Sequence, residues 1–207
     1  MSYVGAKKWL IGIDEAGRGA LAGPVAVGLV AWEIKKWLAI KKFLKDYPVG
    51  KDSKKLTPKQ RDFWFGKIEE LSVKHPVFNT VTLVSNKIID KKGINFTIKT
   101  GIKKNLENFQ RLGSLTSKSL VLLDGGLKAP AEWVNQQTII KGDEKELIIS
   151  LASIVAKVSR DRKMIKLSQK YPHHSLHQHK GYGTKLHYQK ITEFGVLIIH
   201  RQSYLSN

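Results

Sequence analysis

Apolar positions first cluster in "KKWLIGID", Lys7 to Asp14, a run with the length and composition of a strand that stops at two adjacent acids, Asp14 and Glu15. "PVAVGLVAWEI" follows from Pro24 as a second apolar run with β-branched content, and the glycines between the two permit a tight turn. Beyond Thr57, "KQRDFWFGKIEELSVK" reads as a helix, with Thr57 as its N-cap and Pro58 in the first helical position. "VFNTVTLVS" is a third strand. Ile94, Ile98, Ile102, Leu106 and Phe109 recur at helical spacing and predict an amphipathic helix.

"SLVLLDGG" is a short buried strand ending at Asp124, and "QQTIIKGDE" is another that runs toward Asp143. "ELIISLASIVAKVSRDRKMIKLSQ" predicts a long helix whose first half is apolar almost all round, which places it centrally. From Tyr171 the pattern changes to histidines, glycines and lysines, with a short helix near Lys185 to Glu193 and then "VLIIHRQSYLSN". Strands alternate with helices, so the expectation is an α/β or α+β sheet core. We divide it into a core over residues 1–170 and an extension of the same domain over 171–207. The pattern leaves hairpin and crossover connections open.

Charge changes this picture more than size does. The 207 residues carry 36 Lys and Arg against 17 Asp and Glu, a formal net charge of +19. With 42% hydrophobic residues the chain can bury a core, and a field of that sign attracts polyanions, of which nucleic acid is the commonest. The chain has no cysteine, which excludes disulfides and thiolate metal sites and fits a reducing cytoplasm. "WLIGI" is too short for a signal-peptide core, and the longest mostly apolar run, Leu21 to Trp32, is too short to span a bilayer. A cytoplasmic protein without membrane association is expected.

Against that background the acids stand out. Asp14-Glu15, Asp124 and Asp143 all close apolar segments, and strand ends are where loops can carry chemistry on a rigid support. Asp before Gly is also an ordinary turn formula, so the weight lies on the joint placement. Clustered carboxylates repel and need a cation to coexist; Mg2+ or Mn2+ takes oxygen ligands together with substrate phosphate, and two such ions can serve both oxygens of a phosphodiester displacement. Metal-dependent hydrolysis of nucleic acid follows as the expectation. Spacing alone leaves the fourth acid open among Asp143, Glu144, Glu146 and Asp161. Asp161, between Arg160 and Arg162, reads better as a salt-bridge partner.

The segment "IGIDEAGRGALAGPVAVG" resembles the opening motif of ribonuclease HII, and further motifs follow in order: "KDSKKLTPKQR", "VLLDGG", "KGDEKELIISLASIVAKVSRDR", "HKGYGTKLHYQKITEFG" and His200-Arg201. The resemblance runs from about Ile11 to Arg201. It implies a ribonuclease H-like mixed β-sheet with flanking helices and a C-terminal helical extension. It places the metal-binding and catalytic carboxylates on Asp14, Glu15, Asp124 and Asp143, and favours Asp143 as the fourth. By the same resemblance, Gly17, Arg18 and Gly19 contact the ribose 2′-hydroxyl, the one group that separates RNA from DNA at a given site. Tyr182 would sense the following deoxynucleotide, Lys180 a phosphate, and Ser53 and Lys54 the backbone.

The implied activity is an endoribonuclease acting on RNA/DNA hybrids and on single ribonucleotides in duplex DNA. It would cut 5′ to the ribonucleotide, leave 3′-hydroxyl and 5′-phosphate ends, use Mn2+ or Mg2+, two ions during catalysis, and work as a monomer. A ribonuclease HIII-like enzyme is an alternative, but Arg18 stands where that family typically has lysine. The other is a non-catalytic hybrid-binding protein, which has no reason to keep acids near phosphates. Ala20 replaces a common proline, and "INFTIKTGIKKN" carries lysines where the family has small residues. Five histidines fall between His173 and His187; without cysteines and in a loop-like region they make a poor zinc site, and His173, His174 and His177 have no assigned role.

Overall fold

The computed structural model describes residues 8–37, 44, 55–75, 77–111 and 118–205. Five strands form one mixed sheet: β1 (Trp9–Ala16), β2 (Val25–Glu33), β3 (Val77–Val84), β4 (Ser119–Asp124) and β5 (Gln136–Ile139), in the spatial order β3-β2-β1-β4-β5. β1 and β2 form an antiparallel hairpin, β2 pairs antiparallel with β3, and β1, β4 and β5 run parallel. The connections that the apolar pattern left open are thus two antiparallel pairings followed by parallel crossovers.

Helices α1 (Pro58–Lys74), α2 (Asn86–Lys92), α3 (Ile94–Gln110), α4 (Gly142–Lys145), α5 (Leu147–Lys170), α6 (Leu176–His179), α7 (Lys185–Phe194) and α8 (Gln202–Leu205) surround the sheet. Thr57 caps α1 with a reciprocal capping box to Gln60, as its sequence position predicts. The isoleucine pattern of α3 holds, whereas α2 and α6, both short, were not legible in the apolar spacing. Among the described residues no helix is long and apolar enough to cross a membrane.

Alternation along the strands builds two cores. Leu10, Val30 and Trp32 face α5 and α1, together with Leu122; Ile11, Ile13, Val27 and Leu29 face α3, where Phe109 and Trp133 complete the packing. On the α5 side two strand positions have no side chain. A Cβ on Gly12 would lie 2.2 Å from the carbonyl oxygen of Ile148, and one on Gly28 would lie 2.3 Å from that of Ala152. These glycines let α5 settle directly on the backbone of β1 and β2. Since Gly12, Asp14 and, across the pair, Gly28 share this face, the close approach of α5 also sets what stands over Asp14.

After α5 the chain folds back over the β1–β2 connection. Ala20 bridges Tyr182 and Ala22 bridges His200 in antiparallel fashion. Residues from opposite parts of the sequence are thereby joined at the C-terminal edge of β1.

Candidate active site

β1 stays paired with β2 through Ala16, while its pairing with β4 stops at Ile13 and Leu123. The chain therefore turns only after Ala16, and Asp14 and Glu15 both sit on regular strand. Asp14 is buried, accepting the Glu15 N–H at 2.7 Å and a hydrogen bond from Ser153 of α5. Burial holds its carboxyl well above the usual carboxylate range, and the charges of Glu15 and Asp124 push it the same way. Glu15 stands at the rim, where Arg18 Nη1 meets its Oε1 at 3.2 Å.

Asp124 ends β4, and its Oδ1 accepts the N–H of Gly142 at 2.7 Å and, at 3.4 Å, that of Asp143. The fourth acid does not close a strand as the sequence pattern implied. β5 stops at Ile139, Lys141 adopts a left-handed conformation (φ 54°), and Asp143 lies buried in the one-turn helix α4. The structure thus ties Asp124 to the segment of Asp143 and places Asp14 within electrostatic reach of Asp124 and Glu15. Among the described residues no three Asp, Glu or His side chains close tightly enough around a point to hold an ion unaided; each of Asp14, Glu15 and Asp124 is engaged by its own neighbour. The donor set still suits a hard divalent cation: it is all oxygen, and Asp14 is burdened by like charges that such an ion would neutralise.

Beside Asp14 opens a pocket of about 540 Å³, lined by Glu15, Gly17, Arg18, Gly19, Ser153 and Tyr182, with Arg61 and Lys157 supplying positive charge. Its Gly17–Gly19 wall is shaped from behind. Arg201, fully buried, donates to the carbonyl oxygens of Gly17 and Arg18 at 2.7 Å each and to that of Gly23 at 3.1 Å. Arg160, equally buried, donates to those of Pro24, Ala22 and Lys180. With these carbonyls turned inward, no acceptor among the described residues takes the N–H of Gly17, Arg18 or Gly19. Gly17 has φ 87°, and a Cβ there would meet Arg160 Nε at 1.9 Å, so only glycine fits.

Tyr182 closes the opposite wall. The Arg160 guanidinium lies 5.0 Å and the Lys157 ammonium 5.2 Å from its ring centroid, a geometry in which the cations hold the ring face. Lys180 does not line this pocket; it faces the adjoining groove, with its Nζ on the carbonyl of His177. Ser53 and Lys54 lie outside the described residues. Asp161 is ion-paired, with Lys157 at 2.9 Å rather than with its arginine neighbours.

Four histidines pack together beside Tyr182, whose N–H donates to the His179 carbonyl oxygen at 2.9 Å and whose own carbonyl oxygen meets His187 Nδ1 at 3.0 Å. His179 stacks on His187 with centroids 4.0 Å apart, His187 meets His200, and His174 leans on His200 at 6.1 Å. His173 stacks on Phe194, and His177 shares a hydrogen bond with Ser168. The sequence offered Arg160 only as an ion-pair neighbour of Asp161, whereas it binds backbone carbonyls, and gave Ser153, Lys157 and Arg201 no role of their own. Arg160 carried no distinct signal, being one of six cations on α5, and Arg201 was visible only as part of a matched motif.

A family model described as ribonuclease HII matches residues 11–206. The chain belongs to the ribonuclease HII family. Its activity is accordingly that of a type 2 ribonuclease H, an endoribonuclease. The ribonuclease HII of Caldicellulosiruptor bescii is 40% identical over 200 residues, covering 97% of this chain and 88% of that one. The crystal structure of ribonuclease H2 from Pyrococcus horikoshii OT3 is 27% identical, with a TM-score of 0.65 over 96% of this chain and 100% of that one. The fold is also that of Bst-RNase HIII in complex with Mn2+, at 17% identity and a TM-score of 0.66, covering 93% of this chain and 64% of that one. The mixed sheet with flanking helices is thus the ribonuclease H-like core that the motifs imply.

Proposed function

We propose that the protein incises duplex DNA on the 5′ side of an embedded ribonucleotide, and the RNA strand of hybrids, leaving 3′-hydroxyl and 5′-phosphate ends. The observation that carries this reading is that Gly17, Arg18 and Gly19, whose N–H groups have no acceptor among the described residues, line a pocket beside Asp14 and Glu15. Backbone N–H groups fixed by buried guanidinium groups suit a 2′-hydroxyl oxygen, and a deoxyribose offers them nothing. Tyr182, held flat by Arg160 and Lys157, supplies a face for the next sugar, and Arg61 and Lys157 supply charge for phosphates.

Asp14, Glu15, Asp124 and Asp143 would hold Mg2+ or Mn2+. The chemistry such an ion would supply there is neutralisation of phosphate charge and activation of water for in-line displacement. The chain's own part is positional: Ser153 and the Glu15 N–H fix the Asp14 carboxylate, and the Gly142 N–H fixes that of Asp124. The Mn2+ complex of the ribonuclease HIII relative supports a divalent ion in this fold. Arg18 and the higher identity to ribonuclease H2 favour the type HII reading over HIII.

The test is incubation with a labelled duplex carrying one ribonucleotide, with Mg2+ or Mn2+, against the all-DNA duplex. A single cut 5′ to the ribonucleotide, absent in EDTA and in the all-DNA control, is expected. An intact ribonucleotide duplex under conditions where a known ribonuclease HII cuts it would overturn the reading.

A further inference from the structure

Beyond the Gly17–Gly19 loop, on the α3 side of the sheet, two grooves share a wall. One, of about 430 Å³, is lined by Arg18, Asn95, Lys99 and Lys128 over the buried side chains of Ile98 and Ile102. The other, of about 670 Å³, continues past Lys99 and Lys128 to Phe96 and Lys103. Lys99 and Lys128 belong to both, so the two make one trough. Arg18 belongs to the first groove and to the pocket beside Glu15, so the trough opens from the candidate active site.

A lysine-bearing helix face is ordinarily just solvated. Three features distinguish this one. No acidic residue lines either groove. Lys99 and Lys128 are exposed and make no ion pair among the described residues, while Lys103 reaches only Glu107, at 3.9 Å on open surface, a contact worth little. Phe96 is 51% exposed within the trough, with Lys92 Nζ 6.0 Å from its ring, an apolar face among cations of the kind that accepts a sugar. Lys99 and Lys103 are one helical turn apart, about 6 Å along α3, and so can meet separate phosphates of a strand that carries one charge per about 3.4 Å of duplex axis. Two of the lysines in "INFTIKTGIKKN", Lys99 and Lys103, line the trough together with Lys128 and Arg18.

We propose that the trough along α3 holds the sugar–phosphate backbone of the substrate duplex on one flank of the cut, through Lys99, Lys103 and Lys128. The proposal rests on the reading of the pocket as a site for nucleic-acid duplex.

Its test is anisotropy binding in EDTA, from 50 to 200 mM salt, of a fluorescent duplex carrying one ribonucleotide. The triple variant Lys99→Gln/Lys103→Gln/Lys128→Gln is compared with a charge-matched control, Lys67→Gln/Lys74→Gln/Lys190→Gln. The salt slope of log K should fall by about 2–3 in the triple variant, by about 1 in each of its single variants, and by less than about 1 in the control. Trimming the duplex on one flank should abolish the difference between wild type and triple variant; trimming the other flank should leave it. Equal slopes for triple variant and control, or a difference that survives trimming of either flank, would overturn the proposal. If wild type binds with the expected slopes yet leaves the ribonucleotide duplex intact with metal present, the cleavage reading fails and the trough stands.

Discussion

His187 and His200 meet Nε2 to Nε2 at 3.1 Å, and only one of the two nitrogens can carry a proton. His187 Nδ1 faces the Tyr182 carbonyl oxygen at 3.0 Å and so holds its proton there, while His200 Nδ1 accepts the Leu197 N–H at 2.7 Å, the shorter of its two contacts, the Leu197 carbonyl oxygen lying at 3.2 Å. His200 therefore donates to His187, and both rings are neutral. Burial keeps His187 down to about 4, and His179 and His200 are lowered for the same reason. Unfolded, each would take up a proton near 6.5, so between about pH 6.5 and 4 the unfolded chain binds more protons and stability falls as pH falls. We expect a loss approaching about 1.4 kcal/mol per pH unit from His187 in that window, with His179 and His200 acting in the same direction, seen as falling urea midpoints. His187→Phe should flatten the dependence; an unchanged slope would refute the neutral assignment.

Gly12 and Gly28 admit no side chain because α5 carbonyls lie where a Cβ would stand. The obstacle is backbone, which cannot rotate away. Gly12→Ala and Gly28→Ala should each destabilise by about 3 kcal/mol or more, at or above the upper end for overpacked cores. Thermal unfolding checks this, and a change below about 1 kcal/mol would show that α5 can lift from the sheet at little cost.

Asp14→Asn should separate stability from chemistry. The amide keeps an oxygen for the Glu15 N–H and removes a buried charge facing Glu15 and Asp124. Without metal we expect the variant to be more stable by about 0.5–2 kcal/mol, the usual range for relieving an unfavourable active-site group. Cleavage should drop more than about 100-fold, since even supporting groups of metal sites matter by 10- to 100-fold. Urea unfolding in EDTA and single-turnover cleavage measure the two effects.

Arg201→Leu removes three donated hydrogen bonds from a fully buried guanidinium and leaves the Gly17, Arg18 and Gly23 carbonyls short of partners. Each such bond is worth about 1.5–3 kcal/mol, so a loss of at least about 3 kcal/mol is expected. Under conditions where the variant remains folded, cleavage should fall further than duplex affinity. Equal losses in both would mean that Arg201 does not orient the loop.

Periodicity was enough to locate β1 to β4 and the helices α1, α3 and α5, because each packs apolar residues into a core; β5, with none of its four residues buried, and α7, which buries only His187, were read from local composition. α2 and α6 span only seven and four residues, too short for a period to emerge. The acids were legible as a set because they are rare in a basic chain and follow apolar runs. Their geometry was not: the strand through Asp14 and Glu15 stays straight, and Asp143 belongs to a helical turn reached through left-handed Lys141. The roles of Arg160 and Arg201 were not legible because their partners include the backbone carbonyls of Pro24, Ala22, Gly23, Arg18 and Gly17, 136 to 184 positions away. Main-chain acceptors leave no mark in side-chain identity.

The bridges from Ala20 to Tyr182 and from Ala22 to His200 have a consequence for biosynthesis. Residues 14–19 leave the ribosome well before the segment that shapes and closes their pocket. A chain stopped before Arg201 can hold the acids but not the rigid loop beside them. The pocket is therefore completed only once both ends of this long separation have been synthesised and joined.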